Sequence, residues 1–150
     1  MLGIEDLRKF MDENKIDGEI LTFDKPAMKA EDAERIAGKL PVVKTILLIT
    51  DKGPVLCILE GRKKIDFEKV KNIMKCKTVR LAKAKEVKEI TGYDIGALPP
   101  FGHKQKIKTI VDKEIEEFGE VLCGGGSHYS LLRVDSKTLI KNSDYIEELQ

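Results

Sequence analysis

Three stretches of this chain carry residue types that could do chemistry. The first is Thr91-Gly92-Tyr93-Asp94-Ile95-Gly96-Ala97-Leu98-Pro99-Pro100-Phe101-Gly102-His103-Lys104, with three glycines, two adjacent prolines and no helical or strand periodicity. Glycine admits backbone conformations closed to other residues, and Pro99-Pro100 fixes φ and removes two N–H donors. Such a stretch builds a rigid loop whose peptide groups, rather than side chains, face something; the same composition also suits a plain structural turn. The second is Lys44 in the apolar run Val42-Val43-Lys44-Thr45-Ile46-Leu47-Leu48-Ile49. In a strand Lys44 shares a face with Val42, Ile46 and Leu48, where a charge is costly unless a partner neutralises it or the amine opens to a cleft. A lysine that snorkels to water, or one that guards against aggregation, is the plain alternative. An ammonium is a poor general base near neutral pH unless its pKa is strongly lowered, so its chemistry favours an electrostatic anchor. The third stretch is the glycine run Cys123-Gly124-Gly125-Gly126-Ser127.

Other schemes are weaker. Cys123 could be drawn with His103 or His128 as a thiol–imidazole pair, but nothing in the spacing fixes their geometry. The cysteines Cys57, Cys76 and Cys123 are odd in number and form no C-x-x-C pair. That argues against a zinc site and a disulfide framework and suits a reducing cytoplasm, so no metal and no cofactor is expected. The glycine run lacks the Gly-Lys-Ser/Thr of a phosphate-binding Walker loop.

In this order and at these separations, the three features resemble the YbaK/prolyl-tRNA-synthetase-associated domain, a family of free-standing and inserted aminoacyl-tRNA editing domains. The likeness rests on Val43-Lys44-Thr45, on Thr91-Gly92-Tyr93 with Gly96 and Pro100-Phe101-Gly102, and on Gly124-Gly125-Gly126; it runs from Ile4 to about Ile140. The resemblance implies hydrolysis of the ester between an amino acid and the terminal ribose of tRNA. It implies Lys44 as the functional lysine, gripping the terminal phosphate or the ester carbonyl, while a ribose hydroxyl or a substrate thiol helps expel the amino acid. Gly96, Ala97, Pro100, Phe101 and Gly102 would then position the ester, with Thr45, Gly124, Gly125 and Ser127 near the amino acid or adenosine. Cys123 falls where relatives often carry a small polar residue and would be pocket wall, and His103 falls where relatives tolerate other residues.

Phe23, and Met28 or Lys29, fall near specificity positions by loose alignment, and apolar walls would favour a small side chain such as alanine or cysteine. A hydrophobic pocket discriminates one methylene by only ~1–3 kcal/mol, so tRNA identity, expected to be tRNA(Pro), would supply the rest. The expected partners are an aminoacyl-tRNA and prolyl-tRNA synthetase. The lack of any synthetase catalytic region favours a free-standing enzyme. A non-catalytic module that binds tRNA or a synthetase is the alternative; the presence of Lys44 and of Gly96-x-x-x-Pro100 favours the enzyme.

Charge is unevenly placed. Residues 61–113 carry fifteen Lys or Arg against six Asp or Glu, while the whole chain nets +1. A basic middle third between acidic flanks favours a polyanionic partner, although any one lysine is equally a solvated surface residue. Arg62, Lys63, Lys64, Lys104, Lys106 and Lys108 flank the motif loop and are the candidate tRNA contacts. No apolar run approaches the ~20 residues of a membrane span, and the N-terminus shows no secretory pattern; a cytoplasmic protein is expected.

The elements that must position these residues follow from periodicity. At 150 residues the chain suits one domain spanning 1–150. Ile4, Leu7, Phe10 and Met11 recur at helical spacing, as do Ala33, Ile36, Ala37 and Leu40, and Phe67, Val70, Ile73 and Met74 after a capping Asp66. Strands are expected over 19–23, 42–50, 55–60, 78–81, 107–111, 120–122 and 131–134, with Asp51-Lys52-Gly53-Pro54 turning a hairpin. A helix over 84–90 feeds the Gly92 turn, and Asp135 or Ser136 caps a last helix. Without a strict βαβ rhythm the class is α+β, a curved mixed sheet flanked by helices.

Overall fold

The computed structural model describes residues 1–24 and 38–150. The helix expected around Ala33 and Ile36, and the specificity candidates Met28 and Lys29, lie outside the described residues.

Helix α1 (Ile4–Glu13) starts where the Gly3 N–H meets the Asp6 carboxylate at 2.8 Å, and it buries Leu7 and Met11 one turn apart. It is followed by β1 (Glu19–Thr22), β2 (Val43–Thr50), β3 (Gly53–Glu60), α2 (Phe67–Met74) and β4 (Val79–Leu81). Helix α3 (Ala84–Thr91) then runs into the motif loop. Next come β5 (Lys108–Asp112), a 3₁₀ turn (Lys113–Glu117), β6 (Glu120–Gly124), β7 (Ser130–Asp135), α4 (Ser136–Lys141) and β8 (Tyr145–Glu147). The caps are the expected ones: Asp66 accepts from the Glu68 N–H and Asp135 from the Lys137 N–H, both at 2.9 Å.

The strands form two sheets. One is antiparallel in the order β1-β7-β6; the other is mixed, β4-β2-β3-β5-β8, with β3–β5 and β5–β8 parallel. They join where Val42 bridges Leu122 in parallel. The class is α+β as expected, and the mixed sheet is accompanied by a second, antiparallel one. The hairpin turns in two residues, with Thr50 opposite Gly53.

Alternation along β2 sorts its side chains. Ile46 and Leu48 pack with Val55, Cys57, Ile110 and Val70 of α2. Val43 packs with Ile58 and Phe101, and Leu47 with Leu56, Tyr93 and Leu98, so the motif loop covers this second face. Burying each large apolar side chain stabilises the fold by about 1.5–3 kcal/mol relative to exposure. The loop is therefore part of the core as well as a candidate site.

Candidate active site

The motif loop is clamped at both ends. Gly92 caps α3 at φ +87°, the Thr91 hydroxyl donates to the Val87 carbonyl at 2.6 Å and accepts the Tyr93 N–H at 3.1 Å, and the Lys104 N–H returns to the Thr91 carbonyl at 2.8 Å. Tyr93 is fully buried and struts the loop, its hydroxyl donating to the Gly102 carbonyl at 3.2 Å. Burial pushes its phenol up to about 12, so it stays a donor. The His103 Nε2 meets the Pro99 carbonyl at 2.7 Å, and burial lowers the imidazole below its usual range. The Ala97 carbonyl accepts from the Gly126 N–H and the Asp94 carbonyl from the Ala97 N–H.

One asymmetry results. The loop's carbonyls at Thr91, Gly92, Asp94, Ala97, Pro99 and Gly102 all accept hydrogen bonds. The N–H groups of Gly96, Leu98, Phe101 and Gly102 donate to none of the described residues. Peptide N–H groups without an acceptor are the kind of donor that anion-binding concavities use.

The glycine run sits against this loop. A Cβ on Gly124 would meet the Leu98 carbonyl oxygen at 2.0 Å, and one on Gly125 would meet the Leu131 main chain at 2.7 Å. Both glycines thus lie tightly against the protein's own backbone. Ser127 pairs with the Ser130 hydroxyl at 2.8 Å, and Ser130 donates to the Gly125 carbonyl at 2.9 Å. Phe23 extends the β1–β7 ladder, its N–H reaching the Tyr129 carbonyl at 3.0 Å. Across the two loops His128 Nε2 lies 3.7 Å from Asp94 Oδ2, a juxtaposition that chain spacing does not reveal.

Part of the β2 edge is unpaired among the described residues. Strand β4 pairs with β2 only from Leu48 to Thr50, and β6 meets it only at Val42. Residues 43–46 therefore have no strand partner on that edge among the described residues. The Thr45 side chain points to the loop face, and its hydroxyl oxygen is buried with no hydrogen-bond partner among the described residues. Lys44 points to the opposite face, half-buried, and its Nζ donates to the Lys63 carbonyl at 2.5 Å. Lys44 and the motif loop are not brought together on one face: the loop packs on the face of Val43 and Leu47, and Lys44 lies on the other.

Residues 24–141 match the family model of the aminoacyl-tRNA editing domain. The chain belongs to this family. Curated relatives include the proline–tRNA ligases of Streptococcus agalactiae serotype Ia (28% identical over 120 residues, 75% of this chain and 19% of the relative) and Pediococcus pentosaceus (30% over 116 residues, 71% and 20%). The chain spans about a fifth of the length of these relatives. Among solved structures, a proposed trans-editing enzyme for prolyl tRNA synthetase superposes with a TM-score of 0.89 at 22% identity, covering 98% of this chain and 96% of that one. A hypothetical protein of known crystal structure gives 0.87 at 25% identity, covering 96% and 98%. The fold is shared with both of these structures over nearly the whole chain.

In this editing domain Cys123 is buried, its thiol 3.5 Å from the Leu132 carbonyl, and desolvation raises its pKa far above the usual thiol range. No thiolate forms there near neutral pH. Phe101 is 5% exposed and its ring stacks on Phe10, so its side chain belongs to the core and only its main chain is left for a ligand. Pro100 is buried as well. Much of the basic middle third is locally neutralised: Arg62 by Glu60 at 2.9 Å and Arg80 by Glu86 at 2.8 Å. Lys64, Lys104 and Lys106 are exposed and form no ion pair with a described residue, whereas Lys108 stands 4.0 Å from Asp144. No helix among the described residues is long and apolar enough to cross a membrane.

Proposed function

We propose that this domain clears mischarged tRNA(Pro) in trans, hydrolysing the ester of a small amino acid, alanine or cysteine, and that it works beside prolyl-tRNA synthetase. The names of its relatives support the tRNA. The observation that carries the mechanism is the stretch 43–46 of β2, without a further strand partner among the described residues, with the motif loop packed on one face and Lys44 on the other.

An aminoacyl ester is already activated, so positioning and charge stabilisation account for most of what is required. The ester carbonyl oxygen lies toward the N–H groups of Gly96 and Leu98, where negative charge develops as the carbonyl is attacked. The Lys44 ammonium leaves the Lys63 carbonyl for the terminal phosphate and holds the ribose at the edge. Thr45 offers its unpaired hydroxyl to the ribose or the ester. Water adds to the ester carbon, the C–O bond to the ribose breaks, and the neighbouring ribose hydroxyl relays a proton to the leaving oxygen. With a cysteinyl ester, the substrate thiol can instead attack its own carbonyl: the C–O bond to the ribose breaks, the thiol proton passes to the leaving oxygen, and water then opens the resulting thiolactone to cysteine. Phe23, Gly124, Gly125 and Ser127 shape the amino-acid side of the site. Lys104, Lys106 and Lys108, with Lys63 and Lys64, hold the acceptor stem, and Arg62 joins them by leaving Glu60.

The decisive assay is hydrolysis of Ala, Cys, Ser and Pro esters on tRNA(Pro) and on one unrelated tRNA. Cleavage of Ala or Cys on tRNA(Pro), with Pro spared, is expected. Equal cleavage on the unrelated tRNA would overturn the tRNA(Pro) assignment, and resistance of both the Ala and Cys esters would overturn the amino-acid assignment.

A further inference from the structure

Where the motif loop leaves for β5, a second concave surface opens. A cleft of about 520 Å3 lies between residues 100–109, the C-terminal end of α1 and the end of α4. That volume falls within the ~300–1,000 Å3 of small-ligand sites. Neither Lys44, Thr45 nor the glycine run lines it.

Its floor carries the half-buried Phe10 ring, stacked on the core ring of Phe101 with centroids 5.9 Å apart and planes at 21°, so the aromatic surface left for a ligand is that of Phe10. Its rim is basic on two sides. Lys104 and Lys106 come from the loop exit and Lys141 from the end of α4; all three are exposed and unpaired among the described residues. The one acid in the cleft, Asp144, is already engaged, 4.0 Å from Lys108 Nζ and accepting the Thr109 N–H at 3.0 Å. Asn14 and Asn142 each give a side-chain N–H to a helix carbonyl, Phe10 and Thr138, at 2.8 Å. Their amide oxygens remain as acceptors.

Stacking surface, hydrogen-bond acceptors and uncompensated cations are what an unstacked nucleotide needs: a face for the base, partners for its N–H groups and counter-charges for its phosphates. We propose that this cleft binds one unstacked nucleotide of a single-stranded RNA segment, with its phosphates between the loop-exit lysines and Lys141. This rests on the reading that tRNA is the substrate. It adds a binding residue that charge counting misses, because Lys141 belongs to the acidic C-terminal third of the chain. An acidic peptide would satisfy the lysines but leave the aromatic floor and the amide oxygens unused.

The test is the affinity of a fluorescent six-nucleotide single-stranded RNA and of uncharged tRNA for wild type, Lys141→Glu and Lys137→Glu. Lys137→Glu makes the same charge change on the same helix outside the cleft. Lys141→Glu should weaken both RNAs at least fivefold and Lys137→Glu less than twofold. Amide resonances of Phe10 and Asn142 should shift saturably with the six-nucleotide RNA. If Lys141→Glu melts early, Lys141→Ala replaces it, with affinity expected to fall at least twofold. Equal affinities for the Lys141 and Lys137 variants, or displacement of the RNA by polyglutamate at matched charge, overturns the proposal. Should the cleft behave as expected while wild type hydrolyses no aminoacyl-tRNA, the deacylase mechanism falls and the cleft stands. Normal hydrolysis with a silent cleft sinks the cleft alone.

Discussion

Replacing Thr45 by valine separates what the fold wants from what the reaction wants. The Thr45 hydroxyl is buried on the loop face of β2 and has no partner among the described residues. An unsatisfied buried hydroxyl costs roughly 1–3 kcal/mol, and valine fills nearly the same shape without it. Thr45→Val should therefore stabilise the protein by about 1 kcal/mol or more, which for a chain of this size raises Tm by about 2–4 °C per kcal/mol. If the hydroxyl serves the substrate, the same change removes one neutral hydrogen bond, worth about 0.5–1.5 kcal/mol. That converts to a two- to twelvefold fall in kcat/KM at about 1.4 kcal/mol per decade. Scanning calorimetry and single-turnover deacylation read the two effects independently. A lower Tm would show that the hydroxyl is satisfied in solution and refute the premise. A raised Tm with unchanged kcat/KM would leave the hydroxyl unused by the substrate.

Other perturbations address the remaining groups. Lys44→Ala should abolish deacylation with thermal melting near wild type, since the residue contributes only one bond to the Lys63 carbonyl; near-normal turnover would remove Lys44 from the mechanism. Cys123→Ala and Cys123→Ser should keep measurable activity. Burial pushes the Cys57 thiol up to about 12 and Cys123 higher still, so only the half-buried Cys76 should alkylate rapidly in the folded protein at pH 8. Loss of activity in Cys123→Ala as complete as in Lys44→Ala, without unfolding, would point to a thiol nucleophile after all. Lys104, Lys106 and Lys108 replaced together by Ala should weaken tRNA binding and flatten its salt dependence, by about one unit in log–log slope for each phosphate no longer neutralised. An unchanged slope would make these lysines solvated surface.

What was legible in the chain follows from which signals are local. The Gly92 turn, the Asp66 and Asp135 caps and the Asp51-Lys52 hairpin are each decided within a few residues, and each is found where its residue types put it. The motif loop was visible for the same reason, its glycines and prolines being unlike any element. Strand β8 was not, because Tyr145–Glu147 is three residues long and carries no apolar alternation; its place beside β5 is set by Asp144 meeting Thr109. The division into two sheets depends on a single bridge between residues eighty positions apart, which no window along the chain can see. The face of Lys44 was legible from alternation, but not that the motif loop covers the other face. Nor could spacing distinguish a glycine that admits a ligand from one that admits the Leu98 carbonyl.

That last distinction bears on how the site is held. Gly124 lets the Leu98 carbonyl come closer than any side chain would permit, and the Gly126 N–H fixes the neighbouring Ala97 carbonyl. Two adjacent carbonyls of the motif loop are thereby turned onto β6 and the turn that follows it. The Leu98 N–H belongs to the peptide of the Ala97 carbonyl, so pinning that oxygen also sets the direction of this donor. The amides are aligned before any substrate arrives, and dipoles that need no reorganisation are those that stabilise developing charge best. On the proposed mechanism the glycine run would act on the reaction also by deciding which way the peptides of another loop face. Lys44 would be the opposite kind of group, a long flexible cation that has to leave the Lys63 carbonyl. The loop donors would then serve the transition state, and Lys44 would gather and hold the phosphate.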